Sequence, residues 1–277
     1  MQQKIPQEKL RDIVKAYFPH FREIYSSEAE LLEYWLKFYE VFDSERTLAE
    51  FLRLLGFYRA LKMVKADFVK LIMIISLIEK LNSEEDYIDF GVWLSKQRKS
   101  TNSEKCCRQL LQEWNNTHGC SHKFRNFFKN PEYISKTEQI TLLKSVVGKN
   151  ESSPTFVPLF CYDETKCKKF YSKEIRVYEA CPVFQDERVL NKGITYFANF
   201  LYYNLRNKFV HDAKIIQLPD ETDFLWDYEN EVQTVRGKYT GLIGLSLKSK
   251  TLEELLNRNF KKLLHNYIKA RKQSLAV

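Results

Sequence analysis

EAELLEYWLKFYEVF, residues 28–42, sets Leu31, Leu32, Trp35, Phe38, Tyr39 and Phe42 at steps of three and four. At 3.6 residues per turn those positions share one face of a helix, whereas a strand would alternate them across a sheet. LAEFLRLLGFYRAL, residues 48–61, repeats the habit with Phe51, Leu54, Leu55 and Tyr58. FVKLIMIISLI, Phe68 to Ile78, is apolar nearly all round, broken by Lys70, and too short to cross a bilayer; it reads as a helix buried in a core. Ser83 followed by Glu84, Glu85 and Asp86 has the form of an N-cap with an acidic first turn, opening a helix through Gln97. The expectation is an almost wholly helical N-terminal domain over residues 1–150.

Moving outward, VGKNESSPTFVP, Val147 to Pro158, collects Gly, Asn, Ser and Pro and reads as a hinge. Beyond it, KEIRVYEACPVF (173–184) alternates briefly like a strand. A long helix is expected from Asp186 to about Ala213, with Leu190, Ile194, Phe197, Leu201, Leu205 and Phe209 on one stripe. FLWDYE, VQTVRG and GLIGLSL, between residues 224 and 247, look like short strands of an antiparallel hairpin. Thr251 and Glu254 form the pattern of a capping box for a last helix to about Arg271. The fold class expected is therefore mainly α, helical bundles with a small antiparallel β hairpin or sheet inserted in the C-terminal half. The second domain is read as residues 151–277.

Composition narrows the function. Among 277 residues, 44 Lys and Arg face 36 Asp and Glu, a net charge of +8. Such an excess draws polyanions, although it also serves plain solubility. Six cysteines lack the even spacing of a small disulfide framework, and no apolar leader opens the chain, so a reducing cytoplasm without membrane attachment is expected. A phosphate-cradling glycine loop, the zinc-protease H-E-x-x-H and the G-x-S-x-G elbow are all absent. His118, Cys120 and His122 cluster in HGCSH, but the spacing matches no common structural zinc pair. No metal or cofactor is expected.

NLRNKFVHDAK, residues 204–214, carries the chemistry. On an α-helix Asn199, Tyr203, Asn207 and His211 fall in one polar line, with Arg206 one position around. Cleavage of RNA by its own 2′-hydroxyl needs a proton acceptor, a proton donor for the leaving 5′-oxygen and a cation for the phosphate oxygens. Histidine titrates close to neutral pH, and the arginine fork bonds two phosphate oxygens at once. One histidine cannot easily serve both sides of the phosphorus. Two copies of the stripe facing each other in a symmetric homodimer would supply the second.

RNKFVH, residues 206–211, resembles the signature of the HEPN superfamily (higher eukaryotes and prokaryotes nucleotide-binding domains), in which arginine, a following polar residue and a histidine recur at this spacing. The resemblance covers the signature and its helical setting, about residues 185–270. It implies a helical bundle dimerising through the motif helix and, often, metal-independent endoribonuclease activity on single-stranded RNA in toxin–antitoxin, abortive-infection or CRISPR-linked defence. Carried over by position, Arg206, Asn207 and His211 would be catalytic. Tyr203 and Lys208 beside them, Lys123 and Arg125 in SHKFRNFFKN, and Arg258, Lys261 and Lys262 in the last helix are the residues read as RNA-binding. Arg258, Asn259 and His265 satisfy the same pattern at a longer spacing, in a helix whose basic residues are better read as a solvated or phosphate-contacting face. A regulatory or antitoxin partner would fit this reading. The rivals are a module of the same shape that binds RNA, nucleotide or a partner without cutting, and a helical scaffold whose basic residues confer only solubility.

Overall fold

In the computed structural model, the residues described are 7–39, 45–82, 120–149, 157–158, 186–207, 210, 225–234, 237–245 and 247–275. Among them are eight α-helices: α1 (Gln7–Phe21), α2 (Glu28–Tyr39), α3 (Glu45–Met63), α4 (Asp67–Leu81), α5 (Cys120–Lys129), α6 (Lys136–Lys144), α7 (Glu187–Asn199) and α8 (Ser249–Leu275). A π-helical segment, Phe200–Asn207, continues α7. Four strands, β1 (Val146–Lys149), β2 (Val157–Pro158), β3 (Leu225–Thr234) and β4 (Gly237–Leu245), form one antiparallel sheet in the order β2-β1-β4-β3. The mainly α fold with a small antiparallel sheet in the C-terminal half is as the sequence predicts. No described helix is long and apolar enough to cross a membrane.

The chain divides into two units: residues 1–123 with 252–277, and residues 124–251. This differs from a division near residue 150. Val147, expected to open a hinge, and Val146 before it are buried and paired with Gly244 and Leu245. Two β-branched residues suit a pleated, buried position, so the peptide that looked like a linker begins as the inner strand of the sheet. The last helix, expected in the second domain, belongs to the first unit over most of its length. The helix predicted over residues 83–97 and the strand over 173–184 lie outside the described residues.

The first unit is packed as its periodicity demands. Leu31 and Trp35 of α2, Leu54, Leu55 and Tyr58 of α3 and eight apolar residues of α4, from Phe68 to Leu81, are buried. Phe21 stacks on Tyr58 at 4.5 Å between ring centroids, and Phe260 of α8 lies 5.0 Å from Tyr58 and 5.7 Å from Phe21. This three-ring cluster ties α1, α3 and α8 together. Helix α8 starts two residues before Thr251, whose amide donates to the Lys248 carbonyl at 3.1 Å. Thr251 therefore sits inside the first turn rather than capping it.

A charged network joins the same helices. Glu253 of α8 accepts from Lys62 of α3 (2.6 Å) and pairs with Lys70 of α4 (2.5 Å), with side-chain exposures of only 11%, 13% and 21%. Lys62 also reaches Glu23 (2.6 Å), Asn257 donates to Glu23 (2.6 Å), and the Tyr58 hydroxyl donates to Asn257 Oδ1 (2.7 Å). Burial pushes the Glu253 carboxyl up, but hydrogen bonds and charge from Lys62 and Lys70 outweigh it and hold it below the usual range. Burial raises Tyr58 above the ordinary tyrosine value, so its hydroxyl stays a donor.

The second unit is built on aromatics. Phe124, Phe127 and Phe128 of α5 are all fully buried, Phe128 meeting Phe197 of α7 edge-on at 5.3 Å. Ser135 and Glu138 form a capping box at the start of α6. Gly193 of α7 faces Leu143 of α6 so closely that an added Cβ would lie 2.9 Å from Leu143 Cδ1. The predicted hairpin is β3–β4, with Leu225–Glu229 of FLWDYE and Val232–Thr234 of VQTVRG in one strand across a register shift between Glu229 and Val232.

Candidate functional site

Asp186 starts the motif-bearing helix by accepting the Arg188 amide at 2.9 Å. Leu190, Ile194, Phe197, Leu201 and Leu205 are buried as the stripe requires; Phe209 lies outside the described residues. Phe200 and Tyr202 are buried as well. Three consecutive residues, Phe200, Leu201 and Tyr202, are thus enclosed, so the helix is covered on more than one side here. The three open the π-helical segment Phe200–Asn207, whose hydrogen bonds span one residue more than in an α-helix. FLYYNLRN contains neither glycine nor proline, so the widened turn is not the work of a helix breaker.

This corrects the polar line drawn for an α-helix. Asn199 and Asn207 are half-buried and Tyr203 is 41% exposed. The Asn199 Oδ1 atom is fully enclosed and accepts no hydrogen bond. In place of the line stands a chain of rings: Phe128 to Phe124 at 5.0 Å, Phe124 to Tyr202 at 5.9 Å, and Tyr202 to Tyr203 at 5.3 Å, nearly perpendicular. It runs from the core to the surface.

Arg206 is held at the outer end of that chain. Its guanidinium carbon lies 5.3 Å from the centre of the Tyr202 ring, and Nη1 donates to Asn207 Oδ1 at 2.9 Å. The aromatic face favours the cation, while the amide oxygen fixes the plane of the fork. Adjacent residues seldom meet this way on an α-helix. The Asn207 amide oxygen thus holds the Arg206 fork in place. His211 and Lys208 lie outside the described residues.

The residues read as RNA-binding divide between the units. In the second, Tyr203 is exposed and Arg125 half-buried. In the first, Lys123 is buried, against the expectation of a solvated phosphate contact. Its backbone carbonyl instead accepts from Asn82 Nδ2 at 2.7 Å. Lys261 is committed inside its own unit: Nζ bonds Glu30 Oε1, lies 5.0 Å from the Tyr25 ring, and its carbonyl accepts the Tyr34 hydroxyl at 2.7 Å. Those bonds, first from Lys261 and then from the Ser26 amide and hydroxyl, hold the Glu30 carboxyl down to about 2.

Arg258 and Lys262 are exposed, and with His265 and Lys269 they make a basic face of α8. The second arginine-asparagine-histidine pattern is split by its own helix. Asn259 is buried and donates to the Leu255 carbonyl at 2.9 Å, while Arg258 and His265 face outward. An asparagine turned inward cannot hold Arg258 as Asn207 holds Arg206.

Among the described residues no group of three or more His, Cys, Asp or Glu side chains is arranged to hold a metal. The sequence signals missed the π-helical segment and the ring chain under it. Phe124 and Tyr202 are visible as aromatics, but their meeting depends on the tertiary packing of α5. Comparison with protein-family models, curated proteins and solved structures returns no match to this chain.

Proposed function

We propose that the segment around Arg206 is the phosphate-gripping part of a metal-independent endoribonuclease that acts on single-stranded RNA as a homodimer. The observation that carries this reading is the preset guanidinium: Arg206 is stacked on Tyr202 and levelled by Asn207, beside the exposed ring of Tyr203. A fork fixed before substrate arrives needs little reorganisation as charge develops on a phosphate. Tyr203 offers a face on which a base can stack. In this scheme His211 moves the protons, its counterpart on a second subunit completes the acid–base pair, and the product is a cyclic 2′,3′-phosphate. A cytoplasmic, defence or toxin-type setting with a regulatory or antitoxin partner follows from the resemblance of RNKFVH to the HEPN signature.

The test is degradation of single-stranded RNA in excess chelator by the wild-type protein, Arg206→Ala and His211→Ala. Loss of cleavage in both variants supports the assignment; equal activity in all three rejects it. A non-catalytic RNA-binding or nucleotide-binding module is the second reading, favoured by the fact that an arginine fork and a stacking ring suffice for binding by themselves. Salt-sensitive binding with the RNA left intact after long incubation selects it.

A further inference from the structure

The helix that carries Arg206 changes its hydrogen-bonding register before reaching it. Glu187–Asn199 is α-helical and Phe200–Asn207 is π-helical. The Phe200 amide still donates to the Tyr196 carbonyl, four residues back, so the α ladder holds up to the point where the widened turn begins. A π segment encloses one residue more in each hydrogen-bonded ring, and such segments are rare and mostly a single turn long. Here the rarer form is kept without a glycine or proline to impose it.

Its two ends differ in what they satisfy. At the first, Asn199 Oδ1 is fully enclosed and accepts no hydrogen bond from the described residues. A buried acceptor left open counts against the arrangement that leaves it so. At the second, Asn207 Oδ1 accepts from Arg206 Nη1 at 2.9 Å, and the guanidinium carbon lies 5.3 Å from the centre of the Tyr202 ring. On an α-helix Arg206 and Asn207 stand about 100° apart, and Asn207 falls in line with Tyr203 and Asn199 instead. The contact that levels the guanidinium therefore goes with the π register. One end of the segment favours leaving that register and the other favours keeping it.

We propose that Phe200–Asn207 is a register switch: in its π form Asn207 holds Arg206 on Tyr202, and in an α form Asn207 turns away and releases the fork. An anion bound at Arg206 favours the form in which the fork is held, because a ligand shifts an equilibrium by its differential affinity for the two states. The switch rests on the proposed function only for what it regulates, the gripping of an RNA phosphate. Its mechanics require no substrate.

Helix register shifts run on the microsecond-to-millisecond scale, which 15N relaxation dispersion on the full chain reads directly. The amides of Phe200–Asn207 should show exchange between two states while those of Ile194–Ala198 stay flat; flat profiles throughout overturn the switch. Deleting Asn204 takes out the extra residue, so the segment closes as an α-helix and the exchange should vanish. Exchange that persists in the deletion chain also overturns it. Saturating inorganic phosphate should lower the minor population of the wild type several-fold. Exchange that is lost on deleting Asn204 but indifferent to phosphate keeps the switch and removes Arg206 as the phosphate grip.

Discussion

Replacing Glu253 with glutamine keeps the size of the side chain and removes the charge on which two lysines converge. Glu253, Lys62 and Lys70 have side-chain exposures of 11%, 13% and 21%, so water cannot fully replace the lost partner. Removing one member of a buried pair costs roughly 3–5 kcal/mol. Lys62 keeps its bond to Glu23, and the glutamine carbonyl can still accept one hydrogen bond, so the burden falls chiefly on Lys70. The expected loss is then about 2 kcal/mol, a change of roughly 30-fold in the unfolding equilibrium. Urea unfolding followed by far-UV circular dichroism, with hydrogen exchange of the α8 amides to localise the effect, measures it. The same replacement should flatten the acid limb of the stability profile. Glu253 is held below its usual range in the folded protein, so its contribution is present above the ordinary carboxylate value and is lost as pH falls through its folded value. A Glu253→Gln protein with wild-type stability and an unaltered acid limb would refute the view that this network fastens α8. Converting Lys70 to methionine together with Glu253 to leucine should recover most of the loss, since an apolar pair often matches a buried ionic one.

Phe128→Ala empties a fully buried ring site against Phe124, Phe127 and Phe197 and should cost about 3–5 kcal/mol, read by chemical unfolding. Ser135→Ala removes the hydroxyl that closes the α6 capping box and should lower stability by about 1 kcal/mol; Ser135→Asp should restore most of it. Gly193→Ala sets a methyl 2.9 Å from Leu143 Cδ1, and because Leu143 is itself buried the strain of about 1–3 kcal/mol should exceed the gain in helix propensity of about 1 kcal/mol. Shortening the neighbour in Gly193→Ala/Leu143→Val should reverse the sign. Glu30, titrating at about 2 rather than 4.5, should lose its link to Lys261 only as pH falls through that interval, and Lys261→Met should return its NMR titration toward 4.5.

The helical half was legible because its signal is one-dimensional. Spacings of three and four on α2 and α3, and the apolar run of α4, report a buried face whatever that face meets. The hairpin was legible for the same reason, with two alternating runs close in sequence. What escaped depends on partners far along the chain. Val147 looks like the entrance to a linker until Gly244 arrives to pair with it. The π-helical segment carries neither glycine nor proline, so nothing in FLYYNLRN marks it off from the α-helix before it. Lys123 and Arg125 are two residues apart in one basic, aromatic peptide, yet the first is buried and the second half-exposed. In the site, the residue types of Arg206 and Asn207 could be read; their mutual hydrogen bond could not, because an ideal helical wheel separates them by a full residue step.

The split make-up of the first unit has a consequence for how the protein is made. Its core draws on Leu256, Phe260, Leu263 and Leu264, which are translated only after all of residues 124–251. At a synthesis rate of about 5–20 residues per second, the N-terminal helices wait several seconds with an open apolar seam. A released chain ending at residue 251 should therefore hold a finished second unit and an unfinished first one with an open apolar seam, the form on which a chaperone would have most to do.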